Sequence, residues 1–126
     1  MKTILVLVVL VLGQPAAAHV RSLFDALREV ESNGNPNAVG DQGRSLGPYQ
    51  IQYAYWLDSR VPGRYRQVRH AAYAERVMRA YWERYCPEAL AAQDYRTLAR
   101  VHNGGPNGVR KPQTRVYWRK VRRELR

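Results

Sequence analysis

A chain of 126 residues carrying 21 Lys and Arg against 10 Asp and Glu, net +11, has room for one small core and little for a second. Its single cysteine, Cys86, excludes an intrachain disulfide framework, so three Trp, nine Tyr and the aliphatic residues must stabilise it by packing. The charge points to a polyanionic partner: nucleic acid, an anionic membrane or an anionic cell wall.

The first segment, MKTILVLVVLVLGQPAAA, has a basic Lys2, an apolar run from Ile4 to Leu12 and a small-residue end at Ala16–Ala18. It reads as a secretory signal peptide. The run is too short to cross a bilayer, which needs about 20 residues. Residues 19–126 are therefore expected to form one exported domain with no stable membrane insertion, and export disfavours nucleic acid as the partner.

Val20, Leu23, Phe24, Leu27 and Val30 fall at helical spacing and predict a helix over 20–32. Asn33-Gly34 and Asn35-Pro36 end it. Glycines interrupt residues 37–52, where only short extended pieces fit, and 54–57 reads as a brief helical or irregular segment. The longest helix is predicted over 65–85, with Val68, Ala71, Ala72, Val77, Met78, Tyr81, Trp82 and Tyr85 as its apolar stripe and Pro87 as its stop. Cys86, at that stop, reads as a buried hydrophobe. Asp94 is a candidate N-cap for a helix through Leu98 and Val101, and NGGPNG forces a loop. Thr114 is expected to cap a last helix with Val116, Tyr117, Val121 and Leu125 facing inward. That helix is rich in arginine and offers a basic face. The fold class is thus mainly α, with one irregular or β lobe over 37–52. His19, His70 and His102 have no acid or Cys partners at ligand spacing, so neither metal nor cofactor is expected.

Two carboxylates stand out. Glu31 follows Leu27 by four residues and shares its helix face, so its carboxyl emerges beside apolar side chains. Desolvation there favours the protonated form, which is what donating a proton to a glycosidic oxygen requires. Asp41, in Gly-Asp-Gln-Gly, has a polar setting that favours the ionised form. Contrasting carboxyls are the acid and nucleophile of a glycosidase. An acid at a helix end followed by an acid in a turn is also a common structural pattern, and spacing alone leaves both readings open.

VESNGNPNAVGDQGRSLGPYQIQYAYWLDS (residues 30–59) resembles the catalytic segment of invertebrate-type lysozymes, the destabilase family, in its Glu31-Ser32, Asp41, SLGPYQI and Tyr55-Trp56-Leu57-Asp58. ARVHNGGPNG (99–108) is similar to the family's late His-Asn-Gly-Gly-Pro segment. The resemblance implies a lysozyme-like α+β fold and a hydrolase of β-1,4 bonds in bacterial peptidoglycan. With the signal reading the enzyme is expected to be secreted, and a monomer is expected although Cys86 permits a linked dimer. The resemblance makes Glu31 the general acid/base and Asp41 the nucleophile or stabiliser. It also implies substrate contacts from Ser45, Tyr49, Gln50, His102 and Asn103, with core packing equally open for Tyr49. The chain departs from the family in its single cysteine and its shorter loop around Asp41. Gln52 stands where isopeptidase members carry a lysine, so isopeptidase activity is not expected.

Two other readings remain. Glu31-Ser32, Gly-x-x-Gln-Ile and HNGGPNGV are also similar to lytic transglycosylases, which need Glu31 alone. A cationic bacterial-surface binder without catalysis would account for the basic last helix. The protein would act outside the cell, or in the envelope of a bacterial source.

Overall fold

The computed structural model describes residues 16–126, with side chains from Ser22 onward. The signal reading and the Val20 side chain lie outside what is described, apart from Ala16–Ala18, which enter the first helix. That helix, α1 (Ala16–Ser32), puts Leu23, Phe24 and Leu27 wholly in the core. The Phe24 ring stacks on Trp82 with centroids 5.6 Å apart and meets Tyr49 edge-on at 6.0 Å.

The irregular lobe is a three-stranded antiparallel sheet of two-residue strands: β1 (Val39–Gly40), β2 (Ser45–Leu46) and β3 (Ile51–Gln52). Strands this short do not stand by themselves; contacts with the helical part fix them. Gly47, at φ +79°, lies so close to the chain at Val68 that a Cβ would sit 2.5 Å from the Val68 carbonyl oxygen. The Tyr65 hydroxyl donates to the Ile51 carbonyl at 2.6 Å. The lobe is thereby pinned to the 3₁₀ turn Tyr65–Arg69, and α2 (Tyr53–Ser59) leaves it directly.

The helix predicted over 65–85 is in fact two elements. The 3₁₀ turn closes on Gln67, whose side-chain oxygen accepts from the Arg64 N–H at 2.6 Å, and His70 is extended (φ −87°, ψ 120°) before α3 (Ala71–Tyr85) begins. One extended residue leaves Val68 and the α3 stripe on the same side, so hydrophobic periodicity does not register the break. Tyr73, Ala74, Val77, Met78, Tyr81 and Trp82 are buried, whereas Ala72 is exposed. Pro87 both stops α3 and occupies the first position of a further short helix, α4 (Pro87–Ala91), where its missing N–H costs nothing. Cys86 is buried, as expected, and burial pushes its thiol up to about 11.

Asp94 caps α5 (Tyr95–Gly104): its carboxylate accepts from the Thr97 N–H at 3.2 Å and the Thr97 hydroxyl at 2.6 Å. Asp94→Ala should lower stability by about 1 kcal/mol, read as a fall in the urea midpoint at unchanged slope. Thr114 does not cap the last helix, α6 (Gln113–Glu124), but lies inside its first turn. Its buried hydroxyl accepts from Arg100 Nε at 2.9 Å and faces the Gly108 and Lys111 carbonyls at 2.7 and 2.8 Å. Arg100, itself buried, also donates to the Val109 carbonyl at 2.7 Å. These bonds lock α5, the loop after it and α6 together. On α6, Tyr117 and Val121 face inward, while Val116 is exposed, contrary to expectation. Among the described residues no helix is long and apolar enough to cross a membrane.

Candidate active site

The last turn of α1, the β lobe, α2 and the end of α5 enclose a cavity of about 380 Å³. Glu31, Asp41, Ser45, Gln50, His102 and Asn103 all line it. Six of the seven site residues expected from sequence therefore come together. The seventh, Tyr49, is a correction: its ring is fully buried in the core against Phe24. Only its carbonyl serves the site.

Glu31 leaves the helix with its side chain 17% exposed. Burial raises its carboxyl from 4.5 to about 7, and the nearby Asp41 charge adds to the rise. The buried Tyr117 hydroxyl of α6, facing the carboxyl, pulls the other way. Burial wins, because the hydration lost by a carboxylate exceeds what one neutral donor returns.

His102 Nε2 lies 3.8 Å from Glu31 Oε1, an ion-pair distance. The imidazole is nevertheless neutral. Burial pushes its pKa down to about 4, against the opposing effect of the Tyr49 carbonyl. That carbonyl lies 3.2 Å from Nε2 and can only accept, so Nε2 carries the proton. Nδ1 then accepts from the Tyr55 hydroxyl at 3.1 Å. Tyr55 in turn stacks on Tyr81 at 3.8 Å. His102 is thus a fixed, uncharged wall beside the acid rather than its counter-ion, and it does not depress the Glu31 pKa.

Asp41 is exposed, on a 3₁₀ turn (Asp41–Gly43) between β1 and β2. Its φ is +50° and that of Gln42 is +59°, left-handed values that Asp and Asn tolerate better than most residues. Buried Ser45 donates to Asp41 Oδ2 at 2.5 Å, which fixes the carboxylate without neutralising it. Gln50, at φ +52°, sends its amide to the Ala38 and Gly47 carbonyls at 3.2 and 2.9 Å. Its Oε1 fills the space where a side chain at Gly40 would begin. Gln50 therefore braces the lobe as well as lining the cavity.

Sequence reading missed Tyr55 and Asp58 as lining residues, although both lie in the quoted Tyr-Trp-x-Asp segment. It also missed Tyr81, Lys111 and Gln113, which carry no local signal of a site. Tyr117 was placed inward, but its pairing with a residue on the first helix was not legible. Among the described residues, no three His, Cys, Asp or Glu side chains converge as a metal site would need.

The family model for Destabilase matches residues 21–124. The chain belongs to the Destabilase family. Its relatives include Lysozyme 1 of Crassostrea virginica, 39% identical over 79 residues that cover 61% of this chain and 43% of that one. The lysozyme of Ostrea edulis is 37% identical over 86 residues, covering 65% and 63%. Invertebrate-type lysozyme 6 of Caenorhabditis elegans is 31% identical over 106 residues, covering 73% and 77%. This Destabilase-family chain therefore spans less than two thirds of the two oyster relatives. Among solved structures, Tapes japonica lysozyme superposes with a TM-score of 0.70 at 28% identity, covering 80% of this chain and 86% of that one. The inhibitor-bound lysozyme from Meretrix lusoria gives 0.70 and 28%, covering 82% and 88%. The mainly helical fold with a small sheet is the lysozyme-like fold of these relatives.

Proposed function

We propose that this chain is a secreted lysozyme that hydrolyses the β-1,4 bond between N-acetylmuramic acid and N-acetylglucosamine in bacterial peptidoglycan. The observation that carries the reading is the contrast across one cavity. Glu31 is held near pKa 7 by burial, while Asp41 stands exposed and braced by Ser45. The names of the relatives support the reaction class.

In the first step, protonated Glu31 donates to the glycosidic oxygen as the bond to the anomeric carbon breaks. The Asp41 carboxylate meets the positive charge at that carbon, as a nucleophile or as an electrostatic partner. Water then enters with Glu31, now ionised, removing its proton. The neutral His102 excludes solvent beside the acid without supplying a charge that would ionise it early. Outside the cavity, the exposed Arg115, Arg119, Lys120, Arg122 and Arg123 of α6 form a basic face that holds the enzyme to an anionic wall, an attraction that salt weakens.

The pH dependence of kcat/KM on purified peptidoglycan tests the acid. Activity should fall as pH rises through about 7, because free enzyme then loses the Glu31 proton. A rate unchanged up to pH 9 contradicts Glu31 as the acid.

A further inference from the structure

The cavity is acidic inside a strongly basic protein. Glu31, Asp41 and Asp58 line it, and among the described Lys and Arg side chains only Lys111 does. Lys111 is exposed, but its head group and backbone are both held in place. Its ammonium donates to the carbonyl of Gly104, the last residue of α5, at 2.6 Å. Its backbone is held on both sides, the N–H donating to the Gly108 carbonyl at 3.0 Å and the carbonyl accepting from the Thr114 N–H at 3.2 Å. Glycine at 104 makes the seat: a Cβ there would meet Lys111 Cδ at 3.4 Å and Thr114 Cγ2 at 2.5 Å. No carboxylate pairs with Lys111 among the described residues. One of its three donors is spent on a neutral carbonyl, and two remain for the cavity.

A positioned ammonium with no carboxylate partner among the described residues, in a cavity whose other formally charged lining residues are Glu31, Asp41 and Asp58, suits an anion brought by the substrate. We propose that Lys111 reads a carboxylate carried on the 3-O side chain of the muramic acid ring, so that the cavity distinguishes muramic acid from plain N-acetylglucosamine. This rests on the reading of the chain as a peptidoglycan hydrolase. The carboxylate has two sources with the same chemistry: the lactyl acid itself where no peptide is attached, and the acidic residue of the stem peptide where one is. Either gives a charge-assisted hydrogen bond to Nζ. An uncharged chitin strand offers no such group.

The test compares wild type, Lys111→Met and Lys111→Arg on three substrates: intact peptidoglycan, glycan strands stripped of peptide, and chitin oligosaccharides. Thermal midpoints establish that each variant is folded. Lys111→Met should lose roughly tenfold in kcat/KM on at least one muramic substrate, the size of one hydrogen bond to a charged group. It should stay within about twofold of wild type on chitin oligosaccharides, and Lys111→Arg should recover most of the loss. Loss on stripped strands identifies the lactyl acid as the anion, and loss only on intact material identifies the stem. Equal loss on all three substrates overturns the proposal, because Lys111 then supports the site in general. No loss on either muramic substrate also overturns it. Wild type inactive on both muramic substrates defeats the parent reading, a result separate from any effect of the variants.

Discussion

Glu31→Gln should reduce turnover on peptidoglycan by about three orders of magnitude, within the range of a lost general acid, while making the protein more stable at neutral pH. The two effects have one cause. Burial raises the Glu31 carboxyl from 4.5 to about 7. Below about pH 4.5 the group is protonated in both folded and unfolded chains and has no effect on the pH dependence. Between 4.5 and 7 the folded chain keeps a proton that the unfolded chain has lost, so stability falls as pH rises. Above about pH 7 the full penalty applies, about 3 kcal/mol at 1.36 kcal/mol per pH unit. Glutamine fills the same space with no charge to desolvate. Its thermal midpoint should therefore exceed that of wild type at pH 8 and converge with it near pH 4. Equal midpoints at pH 8 would mean that the carboxyl is well hydrated, and the account of its acidity would fail.

Asp41→Asn is expected to lower kcat by about two to three orders of magnitude, as loss of an electrostatic partner to developing charge does, with stability close to wild type. The substitution isolates the charge. Asparagine accepts the left-handed φ of +50° at least as well as aspartate, and its carbonyl oxygen still receives the Ser45 hydroxyl that now donates to Oδ2. The lobe therefore keeps its shape while the cavity loses an anion. Steady-state kinetics with circular dichroism separates the two contributions. A variant with wild-type kcat would make Asp41 a turn residue, as common in loops as its sequence setting suggested.

Glu31 was legible because the four-residue step from Leu27 fixes which helix face it shares, and face determines burial. Asp41 was only partly legible from local physics. Its polar setting made it a candidate while leaving a plain turn residue open. The resemblance of the surrounding motifs favoured the site, and the fold supplies what those motifs do not state, a serine four residues on that orients it. His102 shows the limit most clearly. The family resemblance implied a substrate contact for it, but its tautomer follows from the Tyr49 carbonyl, 53 residues away in the chain. Tyr49 itself followed the other reading open to it, that of core packing. In Pro-Tyr-Gln-Ile, alternation alone does not say whether Tyr49 or Gln50 faces the cavity. The left-handed φ at Gln50 interrupts the alternation and turns the amide, not the ring, to the site. The break at His70 was hidden for a related reason: a single extended residue costs one helical hydrogen-bond step without moving the apolar stripe.

The central claim is that two carboxylates hydrolyse a glycosidic bond in this cavity. Mass spectrometry of the fragments released from purified peptidoglycan by wild type, Glu31→Gln and Asp41→Asn tests it most directly. Fragments with ordinary reducing ends from wild type, lost in both variants, are the predicted result. Anhydro fragments that persist in Asp41→Asn would contradict it, and would make the chain a transglycosylase that uses Glu31 alone.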